Sequence, residues 1–237
     1  MKYPKINSLF KREGGNYKPG EFKTLTPEKK AIRNRFIEGD YAQDHFPNIR
    51  NWLVTEKING MNVRCHFTKI DGGKWHKNFL GRTDAAQMPP KLLKHLENQF
   101  ADDLLSELFS EATEVFLFGE GYGPKIQNGD WYSKEQRFAL FDVLINGKWW
   151  MEYDVVREMA KKLDIPTAPM IGIMREQQII DYVKGSKQCP SSPLSVFADV
   201  SQCKMEGIVA RAYPMVLDRN GLPIKFKLKC RDFKEGG

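Results

Sequence analysis

Three of the four Asn-Gly dipeptides in this 237-residue chain lie between apolar stretches, and they are the feature that most constrains its fold. Asn-Gly favours the two-residue turns that join antiparallel strands, because both residues tolerate a positive φ. Asn59-Gly60 predicts a hairpin over residues 52–67, and Asn146-Gly147 and Asn220-Gly221 predict turns between later strands. The other predicted strands span residues 75–81, 115–118, 138–145, 149–153, 208–212 and 224–230.

Four segments are predicted to be helical. Thr26-Pro27 resembles a cap followed by a first-turn proline and opens a helix to about Glu38. Leucine and phenylalanine recur at helical spacing over residues 91–109, as in a helix that packs on a core. Two shorter helices are predicted over residues 154–163 and 176–184, and residues 1–25 are predicted to be an arm with loops. Strands joined mostly by tight turns, with a few helices, indicate an α+β domain with antiparallel sheets.

Composition excludes some classes of protein. With 41% hydrophobic and 28% charged residues, the chain is typical of a globular protein, and no apolar run approaches the length of a membrane span. The amino-terminal residues have no apolar signal region, so we expect a cytoplasmic location. The four cysteines lack metal-type spacing and are expected to be reduced and buried. A net charge of +7 is compatible with a polyanionic partner, although such an excess is also common on a solvated surface.

Lys57 lies just before the first predicted turn. A lysine at this place attacks phosphorus only as the neutral amine, and taken alone it is more often an ordinary surface residue. Glu120 stands between two glycines, whose small size lets a ligand approach the backbone closely. Glu206 also precedes a glycine at the start of a predicted strand. Either carboxylate suits ribose hydroxyls or a metal ion, and either is also compatible with a solvated turn.

Lys227 and Lys229 alternate with apolar residues, so a strand places both amines on one face. Two cations on one face suit a polyphosphate, although the polar side of an edge strand has the same pattern. Lys225 extends this face, and periodicity does not decide which two lysines form the pair.

In this order, the segments resemble the covalent nucleotidyltransferase superfamily, which includes DNA ligases, RNA ligases and mRNA capping guanylyltransferases. The resemblance is strongest to the ATP-dependent RNA ligases of phages and bacteria. Asn59 replaces the Asp of the superfamily's Lys-x-Asp-Gly motif. The residues that carry the resemblance are 3–6, 9–12, 55–62, 81–84, 119–123 with 126–127, 141–143, 206–209 and 227–233.

The resemblance implies a role for each candidate residue. Lys57 carries AMP, Phe141 stacks on the adenine and Glu120 holds the ribose. The remaining nucleotide-binding residues are Glu56, Ile58, Asn62, Arg82, Lys227 and Lys229, and the metal-binding residues are Glu206 and Asp142. The implied cofactors are ATP and either Mg²⁺ or Mn²⁺.

The resemblance also implies a fold and a reaction. Residues 1–237 are expected to form a single antiparallel-sheet nucleotidyltransferase domain, an ATP-grasp-like ligase adenylation domain. Residues 1–50 form its amino-terminal arm and helix, and no oligonucleotide-binding-fold domain is expected after the last motif. The expected activity is RNA repair by sealing of 5′-phosphate and 3′-hydroxyl ends of RNA, in a nicked duplex or an RNA–DNA hybrid, by a monomer. The alternatives are a DNA ligase catalytic domain and a domain that binds nucleotide or RNA ends without sealing them.

Overall fold

The computed structural model describes residues 1–13, 26, 36–127, 129–185 and 205–233. These residues form two compact units. Unit 1 contains residues 1–4, 58–127 and 129–169, and unit 2 contains residues 5–13, 26, 36–57, 170–185 and 205–233. Among the described residues, no helix is long and apolar enough to cross a membrane.

Unit 2 is built on a five-stranded sheet with the order β1-β12-β11-β4-β10. The first strand pairs in parallel with β12, and the other neighbours are antiparallel. A second sheet has two strands, β2 and β3, and a helix, α4, follows β10. The bounds are β1 Asn7–Ser8, β2 Phe10–Arg12, β3 Phe36–Tyr41, β4 Trp52–Lys57, β10 Met170–Met174, α4 Glu176–Lys184, β11 Gly207–Ala212 and β12 Lys225–Lys229.

Alternation along the central strands of unit 2 builds its core. Every second residue of β4, β11 and β12 points to one face, where Trp52, Ile208 and Phe226 are fully buried. Three side chains of α4 join the same apolar cluster at helical spacing, namely Ile179, Ile180 and Val183. The opposite face carries the lysines of β12.

Unit 1 is built on an antiparallel sheet with the order β6-β5-β7-β8-β9 and three helices. Asn146 and Gly147 have positive φ values of 52° and 65° and join β8 to β9, which confirms that predicted hairpin. The bounds are β5 Met61–Lys69, β6 Trp75–Leu80, α1 Pro90–Gln99, α2 Asp102–Leu108, β7 Glu114–Tyr122, β8 Arg137–Ile145, β9 Trp149–Trp150 and α3 Tyr153–Lys162.

The hairpin predicted at Asn59-Gly60 is wrong. Both strands exist, but β4 pairs with β10 and β11, whereas β5 pairs with β6 and β7. Neither Asn59 nor Gly60 has a positive φ. A Cβ atom on Gly60 would collide with the carbonyl oxygen of Gly121 and lie 3.0 Å from the Cγ atom of Glu120. The glycine is therefore explained by close approach to β7, and the chain passes here from one sheet to the other.

Other predictions need smaller corrections. The helix predicted over residues 91–109 is two helices, because Phe100 and Ala101 leave the helical conformation where Phe100 packs in the core 5.2 Å from the ring of Phe67. The helix predicted from Thr26 lies mostly outside the described residues, and its expected end belongs to β3. Strand β10 was not predicted. Cys65 and Cys230 are buried free thiols as expected, whereas Cys189 and Cys203 lie outside the described residues.

Candidate active site

Three adjacent strands of unit 2 bring the predicted lysines together. In the register of the sheet, Gly207 lies opposite Lys57 on one side and opposite Lys229 on the other. Glu206 immediately precedes Gly207, at the point where β11 begins. Residues that are far apart in the sequence thus meet in one line across β4, β11 and β12.

Glu206 forms ion pairs with both lysines. Its Oε2 atom accepts a hydrogen bond from the Nζ atom of Lys57 at 2.5 Å, and its Oε1 atom pairs with the Nζ atom of Lys229. The three side chains are 17–23% exposed, so water screens the pairs only partly. Burial by itself raises the pKa of Glu206, but the charge of Lys57 and hydrogen bonds from both lysines outweigh burial and lower it. Glu206 is therefore ionised at neutral pH.

Gly207 allows this arrangement because it has no side chain. A Cβ atom at this position would collide with the carbonyl oxygen of Leu228 and come within 2.6 Å of the Cα atom of Lys229. Contacts this short do not occur for real side chains. The glycine after Glu206 therefore lets β11 approach β12 closely enough for Glu206 to reach Lys229.

The alternation predicted for β12 is confirmed. Phe226 and Leu228 are fully buried, whereas Lys225, Lys227 and Lys229 are half-buried on the other face. Lys227 lies opposite Val209, and Lys225 lies farther along, opposite Arg211. Of the three lysines, Lys229 is at the end of the strand where Glu206 and Lys57 lie.

Glu56 lies apart from this group. Because it is adjacent to Lys57 on β4, its side chain points to the opposite face of the sheet, and it is 1% exposed. Its neighbour across the sheet is Ile208, a member of the apolar core. The predicted role of Glu56 in nucleotide binding stays a prediction.

In unit 1, strand pairing places Asn62 of β5 directly opposite Glu120 of β7. Glycines flank Glu120, and side chains on them would collide with Phe138 on one side and approach Leu92 to 2.5 Å on the other. The amide oxygen of Asn62 is buried and receives no hydrogen bond from the described residues. A buried acceptor of this kind, beside a carboxylate, is suited to a polar ligand.

A β-bulge places the predicted adenine-stacking residue. Phe118 pairs with Asp142 and Gly119 pairs with Leu140, so Phe141 is the extra residue of β8. Bulges of this kind re-aim a side chain. The half-buried ring of Phe141 packs on an apolar cluster, which consists of Ile58, Tyr122, Tyr132, Ala139 and Ala168. Ile58, also a predicted nucleotide-binding residue, is thereby grouped with Phe141.

The amino terminus packs against the same sheet of unit 1 through Tyr3. The hydroxyl group of Tyr3 donates a hydrogen bond to Oδ2 of Asp142 at 2.5 Å, and Asp142 is 2% exposed. The Tyr3 ring lies 5.1 Å from the ring of Phe141, in an edge-on arrangement. No role was predicted for Tyr3, although it belongs to a segment that carries the resemblance.

Arg82, the remaining candidate, is exposed in the loop after β6. This loop is held by Arg64, which is 2% exposed. The guanidinium group of Arg64 donates to the carbonyl oxygens of Gly81 and Met1 and to the carboxylate of Asp84, at 2.7–2.9 Å. No role was predicted for Arg64. The signal in the sequence was a charged residue between two apolar residues, Val63 and Cys65, within a predicted strand.

The described residues contain no cluster of three or more His, Cys, Asp or Glu side chains that forms a metal cage. Mg²⁺ does not require such a cage, since it is commonly bound by one or two carboxylates together with water and substrate phosphates. Glu206, ionised and only partly buried, fits that kind of site. Asp142 is largely enclosed and accepts the hydrogen bond from Tyr3, and its role toward a metal stays a prediction.

Solved structures with a similar fold include RNA ligases. A Naegleria gruberi RNA ligase matches with a TM-score of 0.55 and 19% identity over 78% of this chain and 52% of its own. A structure of the Naegleria enzyme with ATP and Mn has a TM-score of 0.56 and 17% identity, over 96% of this chain and 61% of its own. An archaeal ATP-dependent RNA ligase has a TM-score of 0.55 and 17% identity, over 98% of this chain and 49% of its own.

The chain therefore spans less than two thirds of each of these ligases, and at these identities the likeness shows the fold. No curated protein sequence matches the chain. A family model described as RNA ligase matches residues 50–229, which is more than half of the 237 residues and contains Lys57, Glu206 and the three lysines of β12. The expected superfamily and its antiparallel α+β fold are thus confirmed, and the chain belongs to the RNA ligase family.

Proposed function

We propose that this chain is an ATP-dependent RNA ligase that joins 5′-phosphate and 3′-hydroxyl ends through AMP bound covalently to Lys57. The observation that carries the proposal is the line of Lys57, Glu206 and Lys229 across three neighbouring strands. It combines one amine that can serve as a nucleophile, one carboxylate and one further cation. Phosphoryl transfer depends mostly on such positioning and on stabilisation of charge.

In the first step, the ion-paired ammonium group of Lys57 loses a proton, and the resulting neutral amine attacks the α-phosphorus of ATP. A nitrogen–phosphorus bond forms, the bond to pyrophosphate breaks, and the amine loses a proton. Glu206 orients the Lys57 side chain before the attack, since its Oε2 atom holds Nζ at 2.5 Å. Lys229 and Lys227 supply positive charge for the phosphates of ATP and for the departing pyrophosphate. Glu206 would hold in part a bound Mg²⁺ or Mn²⁺, which would further neutralise phosphate charge.

Two more phosphoryl transfers complete the reaction. A 5′-phosphate oxygen of RNA attacks the phosphorus of lysyl-AMP, breaks the nitrogen–phosphorus bond and frees Lys57. The 3′-hydroxyl group of the second end then attacks the 5′-phosphate, forms the phosphodiester and releases AMP. Following the resemblance, we assign Glu120 to the ribose, Phe141 to the adenine ring, and Asn62 and Arg82 to the phosphate and the acceptor end.

The nucleophile is tested by mass spectrometry after incubation with ATP and Mg²⁺. The wild-type chain should gain the mass of one AMP, on the peptide that contains Lys57. Lys57→Ala and Lys57→Arg should both abolish the adduct, because alanine has no amine and guanidinium does not lose its proton at neutral pH. Lys91→Arg, at an exposed position of α1, is the matched control and should keep the adduct. An adduct on another lysine would refute the assignment.

The substrate is tested with the purified enzyme–AMP adduct in a single turnover. We expect faster sealing when the terminal acceptor sugar is ribose than when it is deoxyribose, because the 2′-hydroxyl group is the feature of an RNA end that can donate and accept hydrogen bonds. The nicks should differ in that sugar alone. Equal or faster sealing of the deoxyribose end would favour a DNA ligase, and an adduct that never transfers its AMP would favour an end-binding domain.

A further inference from the structure

A further ion pair lies at the end of β12, beyond the residues assigned above. Asp232 belongs to a single helical turn, Cys230–Phe233, that directly follows the strand. Its Oδ1 atom accepts a hydrogen bond from Nη2 of Arg12 at 2.9 Å, and its side chain is 4% exposed. A carboxylate that is nearly enclosed is stable only when its oxygens are paired.

The other oxygen of Asp232 returns to the strand. Oδ2 accepts the backbone N–H of Lys229 at 2.9 Å, so the carboxylate fixes the point at which the chain leaves β12. The next residue, Cys230, donates its backbone N–H to the carbonyl oxygen of Glu206 at 3.0 Å. Both members of the Lys229–Glu206 ion pair are thus attached, through their backbones, to the same corner of unit 2.

Arg12 is itself oriented by its surroundings. Its guanidinium carbon lies 4.4 Å from the centre of the Phe36 ring, and its Nη2 atom also donates to the hydroxyl group of Ser8 at 3.4 Å. The Phe36 ring packs 5.5 Å from that of Phe233, in the same helical turn as Asp232. The planar guanidinium therefore stacks on an aromatic ring while its edge reaches the carboxylate, a combination that lysine does not reproduce.

We propose that Arg12 and Asp232 are positioning residues that hold Lys229 in place for the phosphates of the nucleotide. The inference rests on the phosphate-binding role given to Lys229 under the proposed function. Neither side chain touches the reacting atoms. Their effect passes through the backbone N–H group of Lys229, whose side chain must reach both Glu206 and the phosphates.

The experiment measures binding of inorganic pyrophosphate by calorimetry without divalent metal, so that no reaction occurs. Asp232→Asn and Arg12→Gln should each weaken pyrophosphate binding about tenfold or more, since a displacement near 1 Å is enough for such losses. Adenosine affinity should not change. Lys11→Gln is the matched control, because it also removes one positive charge, at the residue next to Arg12. Lys11 belongs to an exposed ion pair with Asp40. This control should bind pyrophosphate like the wild type.

A double-mutant cycle separates positioning from general destabilisation. If Asp232 acts through Lys229, then Asp232→Asn should have no further effect on pyrophosphate binding in the Lys229→Ala background. The pyrophosphate affinity of Arg12→Lys, the milder variant, should lie between those of the wild type and Arg12→Gln. Binding is measured well below the melting temperature of each variant.

Three results would overturn the inference, and they differ in meaning. Wild-type pyrophosphate affinity in Asp232→Asn, together with a loss in Lys229→Ala, would refute the positioning role alone. Wild-type affinity in Lys229→Ala would refute the phosphate role of Lys229, and with it that part of the proposed function. Additive losses in the double mutant would show that Asp232 does not act through Lys229.

Discussion

At the scale of single residues, one carboxylate serves two lysines. Glu206 balances the charges of Lys57 and Lys229, and in turn these lysines keep the pKa of Glu206 below its ordinary value despite burial. The same side chain is thus a structural counterion and the residue assigned to the metal. A substitution at Glu206 is expected to affect both stability and reaction.

Glu206→Gln removes the charge and keeps the shape, so it should destabilise unit 2 by about 1–3 kcal/mol at neutral pH, since two lysines lose their counterion. The folded pKa of Glu206 lies below the ordinary 4.5, so this stabilisation is present above pH 4.5 and is lost as pH falls through the lowered pKa. The difference in melting temperature between wild type and Glu206→Gln should therefore shrink in acid. A difference that grows below pH 4.5 would contradict this account.

At the scale of elements, Arg64 joins β5, the loop after β6 and the amino terminus of unit 1 through three hydrogen bonds. Arg64→Lys keeps the charge, but a single ammonium group does not serve three acceptors around a plane. We expect a loss of about 1–3 kcal/mol in the free energy of unfolding, measured by denaturant titration.

Arg137→Lys is the control for Arg64→Lys, because Arg137 pairs with Glu135 at the surface. It should change the free energy of unfolding by less than about 0.5 kcal/mol. Equal losses in the two variants would show that burial of the Arg64 network does not matter.

Gly60 is constrained by β7 and not by a turn. Gly60→Ala puts a methyl group against the carbonyl oxygen of Gly121 and the side chain of Glu120, so it should cost about 1–3 kcal/mol of stability. Gly172→Ala is the control, because its nearest atom, in Met174, would be 3.7 Å away, an ordinary contact. Thermal unfolding of the two variants measures the difference. Similar melting temperatures for both would show that the close approach to β7 does not constrain Gly60.

At the scale of the whole molecule, the net charge of +7 predicts how binding of RNA depends on salt. Lysine and arginine side chains that neutralise RNA phosphates displace counterions, so the logarithm of the binding constant should fall linearly with the logarithm of salt concentration. Fluorescence anisotropy with a labelled RNA, at several KCl concentrations, measures the slope. A binding constant independent of salt would exclude phosphate contacts as the main source of affinity.

Local patterns in the sequence were enough for much of the fold and part of the site. Period-two alternation predicted the common face of Lys227 and Lys229, and helical periodicity with turn chemistry predicted α4 and the hairpin at Asn146-Gly147. These features depend on residues a few positions apart, whose geometry is set by backbone conformation and by which side chains avoid water. The order of the motifs, by resemblance, named the family that residues 50–229 match.

Tertiary structure alone decided which strands become neighbours. The pairing of β4 with β11 brings Lys57 to Glu206, 149 positions away, and the same choice of partners made the predicted hairpin at Gly60 wrong. The contacts of Arg64 and Asp232 were not predicted for the same reason, since each side chain is paired with groups from distant parts of the chain. A local pattern gives a strand its two faces, but its partners are chosen by packing and hydrogen bonding over the whole unit.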